Sequence, residues 1–134
     1  MKRIIFMLMC ATFYSRAQVS IADHYIYALP PSVPNSAAYG SLLSDQDDVL
    51  ISAECEGVEE VQIHEILEQN GMLKMRPISG LTLPKDKEVL LQPGGYHLML
   101  IHLISPFLLG DTVSCILHFK HAMSEKVSFS VIAR

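Results

Sequence analysis

Four side chains in this sequence combine reactive type with suggestive spacing: His64, Met75, His97 and Met99. The last two lie in the run "YHLMLIHL" at 96–103, which reads as a β-strand. Side chains alternate faces along a strand, so His97, Met99 and Ile101 point one way and Tyr96, Leu98, Leu100 and His102 the other. A rise of about 3.3 Å per residue sets the Cβ atoms of His97 and Met99 roughly 6.6 Å apart, a span that one metal ion can bridge. The same rule puts Gln62, His64 and Ile66 on one face of an earlier strand, and Met75 on the strand that returns after an Asn70-Gly71 turn. Thioether sulfur is soft and neutral, and imidazole is intermediate. Two of each suit Cu(I) better than Ca²⁺ or Mg²⁺, which take oxygen, or zinc, which recruits Cys or carboxylate beside His. Such a set also suits the space outside the cytosol, where thiolate ligands are lost to disulfides. Taken one at a time, the methionines read as core filler and the histidines as structural side chains.

The elements that must hold these residues are short and extended. Candidate strands are "VSIADHYIYAL", "AAYGSLL", "DVLISAEC", "EEVQIHEIL", "MLKMRPI", "EVLLQ", "YHLMLIHL", "TVSCILHF" and "KVSFSVIA". Pro30, Pro31 and Pro34 separate the first two, residues 45–48 read as a polar turn, and Asn-Gly at 70–71 is a hairpin signal. Pro93-Gly94-Gly95 interrupts the chain just before the His-x-Met strand. Helical periodicity is not sustained after the first residues, so the spacing predicts an all-β sandwich or barrel of about eight or nine strands.

The first 17 residues read as a signal peptide: Lys2 and Arg3, an apolar run over residues 4–13 too short to span a bilayer, then Ser15 and Ala17 at peptidase spacing. Cys10 is a poor lipidation site, because Met9 stands where a small residue is expected. This divides the chain into a leader, 1–17, and one domain, 18–134, the right size for a single core. Cleavage after Ala17 removes Lys2, Arg3 and Arg16 but no acid, taking the formal net charge from −4 to −7. No basic cluster remains to bind nucleic acid. Cys55 and Cys115 survive processing, and they either pair or stay as two separate buried thiols. There is no Gly-x-Ser-x-Gly, no phosphate loop and no HExxH, so no enzyme is expected.

The spacing His64-x10-Met75-x21-His97-x-Met99 resembles the signature of the PCu(A)C family of periplasmic copper(I) chaperones. "AAYGSL" at 37–42, "VQIHE" at 61–65, "MRPI" at 75–78, "LQPGGYHLMLIHL" at 91–103 and "GDTVSCILHF" at 110–119 carry the resemblance across nearly the whole of 18–134. It implies a cupredoxin-like Greek-key β-sandwich that binds one Cu(I) through His64, Met75, His97 and Met99. It also implies a monomer in the periplasm of a Gram-negative cell. Copper would pass toward the Cu(A) centre in subunit II of cytochrome c oxidase, with Sco-type proteins as partners. The departures are Leu73 where many relatives have a second Met, Tyr25 for Trp and Tyr27 for Arg. Some relatives also carry a His/Met-rich tail after the last strand; this sequence stops at Arg134, so a second, tail-based site is not expected.

Other soft or charged clusters have plainer readings. His118, His121 and Met123 fit a solvent-exposed hairpin loop, and His24 and His102 fit structural roles. Glu54, Glu56, Glu59 and Glu60 fit a solvated acidic edge. The competing account of the whole chain is an exported β-sandwich that binds a protein or glycan, with a structural Met/His cluster.

Overall fold

The computed structural model describes residues 16–134, which form ten strands and no helix. The expected leader lies almost wholly outside the described residues. The strands are β1 (Val19–Tyr27), β2 (Ser36–Ser44), β3 (Asp48–Cys55), β4 (Val58–Gln69), β5 (Met72–Pro77), β6 (Leu81–Leu83), β7 (Glu88–Leu91), β8 (His97–Leu103), β9 (Thr112–Phe119) and β10 (Glu125–Ile132). All nine expected strands are present. The tenth, β6, is only three residues long, beginning after Gly80 and ending before Pro84; its Leu-Thr-Leu alternates, but over too few residues to stand out in the sequence.

The strands join in the order β5-β4-β8-β2-β1-β10-β9-β3-β6, with β7 also paired to β2. Every pairing is antiparallel except β1 with β10. Alternation decides what goes inside. Leu98 and Leu100 of β8, Ala38 and Leu42 of β2, Leu117 of β9 and Phe129 and Val131 of β10 bury their side chains in one core. Each leucine, valine or phenylalanine so placed contributes about 1.5–3 kcal/mol. Their neighbours in sequence therefore lie on the outer face, and that face carries the chemistry.

Two turns set the register near the site. Asn70 and Gly71, at φ of 53° and 75°, close the β4–β5 hairpin as a two-residue turn with both central residues left-handed. That pairing of conformations matches the strand twist and suits Asn-Gly. The Pro93-Gly94-Gly95 turn is locked by Gln92 N–H donating to Tyr96 O and Gly95 N–H to Gln92 O, both at 2.9 Å.

One residue of the expected polar turn at 45–48 is not exposed. Asp48 is buried and clasps the β9–β10 hairpin, its Oδ1 accepting from the N–H of Val49 (2.8 Å) and His121 (2.9 Å), its Oδ2 from Ala122 (2.8 Å). Burial works to raise this carboxyl, but the three backbone donors and nearby His121 outweigh it and hold the group below the ordinary carboxylate value of 3.8. Asp48→Ala leaves three N–H groups without their acceptor and should cost about 3 kcal/mol at neutral pH. Because the folded value is the lower one, the stabilisation is complete above the unfolded value and fades as pH falls through the folded value. The gap between the denaturant midpoints of wild type and variant should therefore narrow as pH drops below about 4. A gap of unchanged size there would mean that the charge on the carboxylate contributes nothing beyond its hydrogen bonds and packing.

Candidate metal centre

The four residues singled out from the sequence meet on the outer face of β5, β4 and β8. Register explains how. His64 is directly opposite His97, Gln62 opposite Met99, and Ile66 opposite Met75. Cross-strand partners share a face, so strand alternation and pairing together gather two imidazoles and two sulfurs on one patch. Met75, Met99 and His97 line an open cavity of about 580 Å³, together with Tyr27, Tyr39 and Arg134. His64 is not in that lining; it stands beside His97 with ring centroids 5.5 Å apart.

Exposure grades across the patch. His97 is 3% exposed, under Tyr39 at 6.4 Å between centroids, whereas Met75 on the outermost strand is 59% exposed. The site is thus anchored at its histidine end and open at its methionine end. Tyr25, Tyr27 and Tyr39 form a contiguous aromatic wall beside it, with centroids 5.2–5.9 Å apart. Burial, then the neighbouring Tyr27, raises the Tyr39 phenol above its ordinary value, which keeps that hydroxyl neutral.

The two histidines each use one nitrogen and leave the other idle. His97 Nδ1 is 3.0 Å from Gly95 O, and His64 Nε2 is 2.9 Å from Gln62 Oε1. His97 Nε2 and His64 Nδ1 are buried with no hydrogen-bond partner. A buried polar atom without a partner costs free energy and calls for an explanation such as an ion. A carbonyl can only accept, so His97 carries its proton on Nδ1 and offers a lone pair at Nε2. Burial, then the proximity of His97, lowers the His64 pKa below its ordinary 6.5, which keeps that ring neutral and a competent donor at physiological pH. Among the described residues no three His, Cys, Asp or Glu side chains gather as a hard or thiolate metal site. The donors at hand are imidazole nitrogen and thioether sulfur, which favour a soft monovalent ion.

The other clusters resolve differently. His118 is engaged on both nitrogens, by Ser124 Oγ at 2.7 Å and Glu54 Oε1 at 3.2 Å, while His121 and Met123 are exposed on the adjoining turn. His102 pairs with Glu59 at 3.0 Å, and His24 packs edge-on against Phe129 at 5.7 Å. Two of the acidic residues are therefore partners of histidines. His64 and Glu65 face opposite ways, Glu65 pairing with Arg76 of β5 at 2.6 Å. Cys55 and Cys115, cross-strand partners on β3 and β9, form a disulfide. Sequence reasoning placed Gln62 on the ligand face but gave it no role, and it passed over Tyr39; the period of two from His64 and from Ala37 was the available signal.

Three comparisons bear on this geometry. A family model described as "Putative lipoprotein LpqE-like" matches residues 19–131. "Putative lipoprotein Lxx21020" of Leifsonia xyli subsp. xyli is 28% identical over 99 residues, covering 72% of this chain. The chain spans 60% of the length of that curated relative. Among solved structures, the copper-bound PCuAC domain from PmoF2 superposes with a TM-score of 0.74 at 20% identity, over 90% of this chain and 97% of that one. CuI-DR1885 from Deinococcus radiodurans, solved in solution, gives 0.67 at 28% identity, over 84% and 78%. The all-β sandwich is that of the PCuAC domains.

Proposed function

The chain belongs to the LpqE-like lipoprotein family, and from that premise we propose that it is an exported Cu(I) carrier. One copper ion, as cargo, is held by His64 Nδ1, Met75 Sδ, His97 Nε2 and Met99 Sδ. The observation that carries the reading is the pair of orphaned, buried nitrogens on histidines that face each other across β4 and β8, with two thioethers on the same outer face by register. Copper-bound relatives of the same fold support it. The family's lipoprotein description supports export, and a Cys55–Cys115 bridge fits an oxidising compartment.

The chain's own residues set how the cargo is held and released. Neutral donors leave the ion's charge uncompensated, so the site does not become a thiolate-type trap. His97, buried and fixed by Gly95 O, is the stationary donor. Met75, on the outermost strand and largely exposed, is the donor that a client's ligand can displace first. Release then proceeds by stepwise replacement, ligand for ligand, with no change in oxidation state and no catalysis by the protein. Periplasmic delivery toward a Cu(A) centre in cytochrome c oxidase, with a Sco-type partner, is the client assignment that accompanies this reading.

Titration of the mature protein with Cu(I) under anaerobic conditions, against a chromophoric chelator, tests it. One equivalent bound, with the resonances of both histidines shifting, is expected. No binding, or binding that leaves His64 and His97 unmoved, rejects the site. In the same assay Met75→Ala should speed loss of copper to the chelator by about the factor by which it weakens binding at equilibrium, because it removes the outermost donor and leaves entry of the ion unchanged. An unchanged off-rate would remove Met75 from the release path.

A further inference from the structure

We propose that Gln62 is a positioning residue which, held in turn by Glu60, fixes the proton of His64 on Nε2 and thereby presents Nδ1 to the metal; the role rests on the four-residue site above.

The inference follows from what each group can donate. Gln62 Nε2 donates to Glu60 Oε1 at 2.9 Å, and His64 Nε2 lies 2.9 Å from Gln62 Oε1. An ionised carboxylate only accepts, so Glu60 requires the NH₂ end of the Gln62 amide. That leaves the amide oxygen, also only an acceptor, facing His64. The imidazole must then donate from Nε2, and its Nδ1 becomes the nitrogen with a free lone pair. That nitrogen is the one the structure leaves buried and unpartnered. Strand geometry makes the relay possible, because Glu60, Gln62 and His64 follow one another at spacing two on the same face of β4.

The two histidines are thus set by different means to opposite tautomers. Gly95 O puts the His97 proton on Nδ1 and frees Nε2, while the Gln62 amide puts the His64 proton on Nε2 and frees Nδ1. Facing strands bring the ring centroids to 5.5 Å, and opposite tautomers leave one free nitrogen of each kind, both buried and unpartnered. A backbone carbonyl cannot be mutated away, but the Gln62 amide can. Glu60, read from sequence as one residue of an acidic edge, acts here as the fixed end of the relay.

Long-range proton–nitrogen correlation spectra of the metal-free protein, followed by addition of Cu(I), test this without any activity assay. Wild type should show His64 as the Nε2–H tautomer, with Nδ1 the nitrogen that shifts on Cu(I) addition. Gln62→Leu removes the acceptor at similar volume; it should give a mixed tautomer and weaken Cu(I) about 10- to 100-fold, the range expected when a ligand's outer partner is lost. Gln62→Glu keeps an oxygen at the same place and should retain the Nε2–H tautomer. A metal-free wild type with its proton on Nδ1 overturns the proposal, as does Gln62→Leu with unaltered tautomer and affinity. Absence of Cu(I) binding by wild type rejects the four-residue site itself and this role with it, and that result is read before any variant is made.

Discussion

Replacing Met75 and Met99 together by leucine is expected to abolish Cu(I) binding in a protein that remains folded. Loss of an outer partner of a ligand alone costs 10- to 100-fold in affinity. Removing two ligating sulfurs should therefore cost about 10³-fold or more, equivalent to about 4 kcal/mol. The fold has little at stake. Met75 is 59% exposed on the outermost strand, and Met99 faces outward while its neighbours Leu98 and Leu100 fill the core. Methionine to leucine is a volume-conserving exchange that usually costs less than about 1.5 kcal/mol. Chelator competition for copper and a thermal melt on the same preparation make the test. Equal binding by wild type and double variant would return the methionines to ordinary surface and packing roles, and the carrier reading would fail.

Opening the Cys55–Cys115 bridge is expected to have the largest effect on stability, and to leave the copper site unaffected. The two half-cystines are 60 residues apart in the chain, and closing a loop of that length restricts the unfolded state by about 4 kcal/mol. That is a large part of the 5–15 kcal/mol typical of a domain. The bridge joins β3 to β9, whereas the site lies on β5, β4 and β8 at the other end of the strand order. A phosphine reductant, or Cys55→Ala with Cys115→Ala, should lower the denaturant midpoint strongly while Cu(I) still binds one to one below the transition. A midpoint shift worth less than about 1 kcal/mol would mean that the unfolded chain is already compact enough to lose little on closure. Copper binding that vanished with the bridge would instead show that the site depends on how β3 and β9 hold β4.

The sequence by itself determined which way the side chain of each candidate ligand points within its own strand. Cβ direction alternates as a property of the local backbone, so His97 with Met99, and Gln62 with His64, were placed on common faces before any tertiary contact was known. The Asn70-Gly71 turn was legible for the same reason, because left-handed φ at two consecutive residues is a local preference, and the structure has it. The strands were legible where their alternation ran for four residues or more; Leu81–Leu83 alternates over only three, between Gly80 and Pro84, and was not. What lay beyond the sequence depends on which strands become neighbours. His64 meets His97 because β4 pairs with β8 in one register out of several, and a slip of one residue would have turned the ligand face inward. The Cys55–Cys115 pairing hangs on β3 lying beside β9, and local pattern carries no information about that distance. Asp48 looked like a turn residue from its neighbours, yet the hairpin that docks its backbone on the carboxylate comes from more than 70 positions later. The proton on each histidine was decided last, by Gly95 O and by the Gln62 amide, since a tautomer follows from the one acceptor that the fold places against the ring.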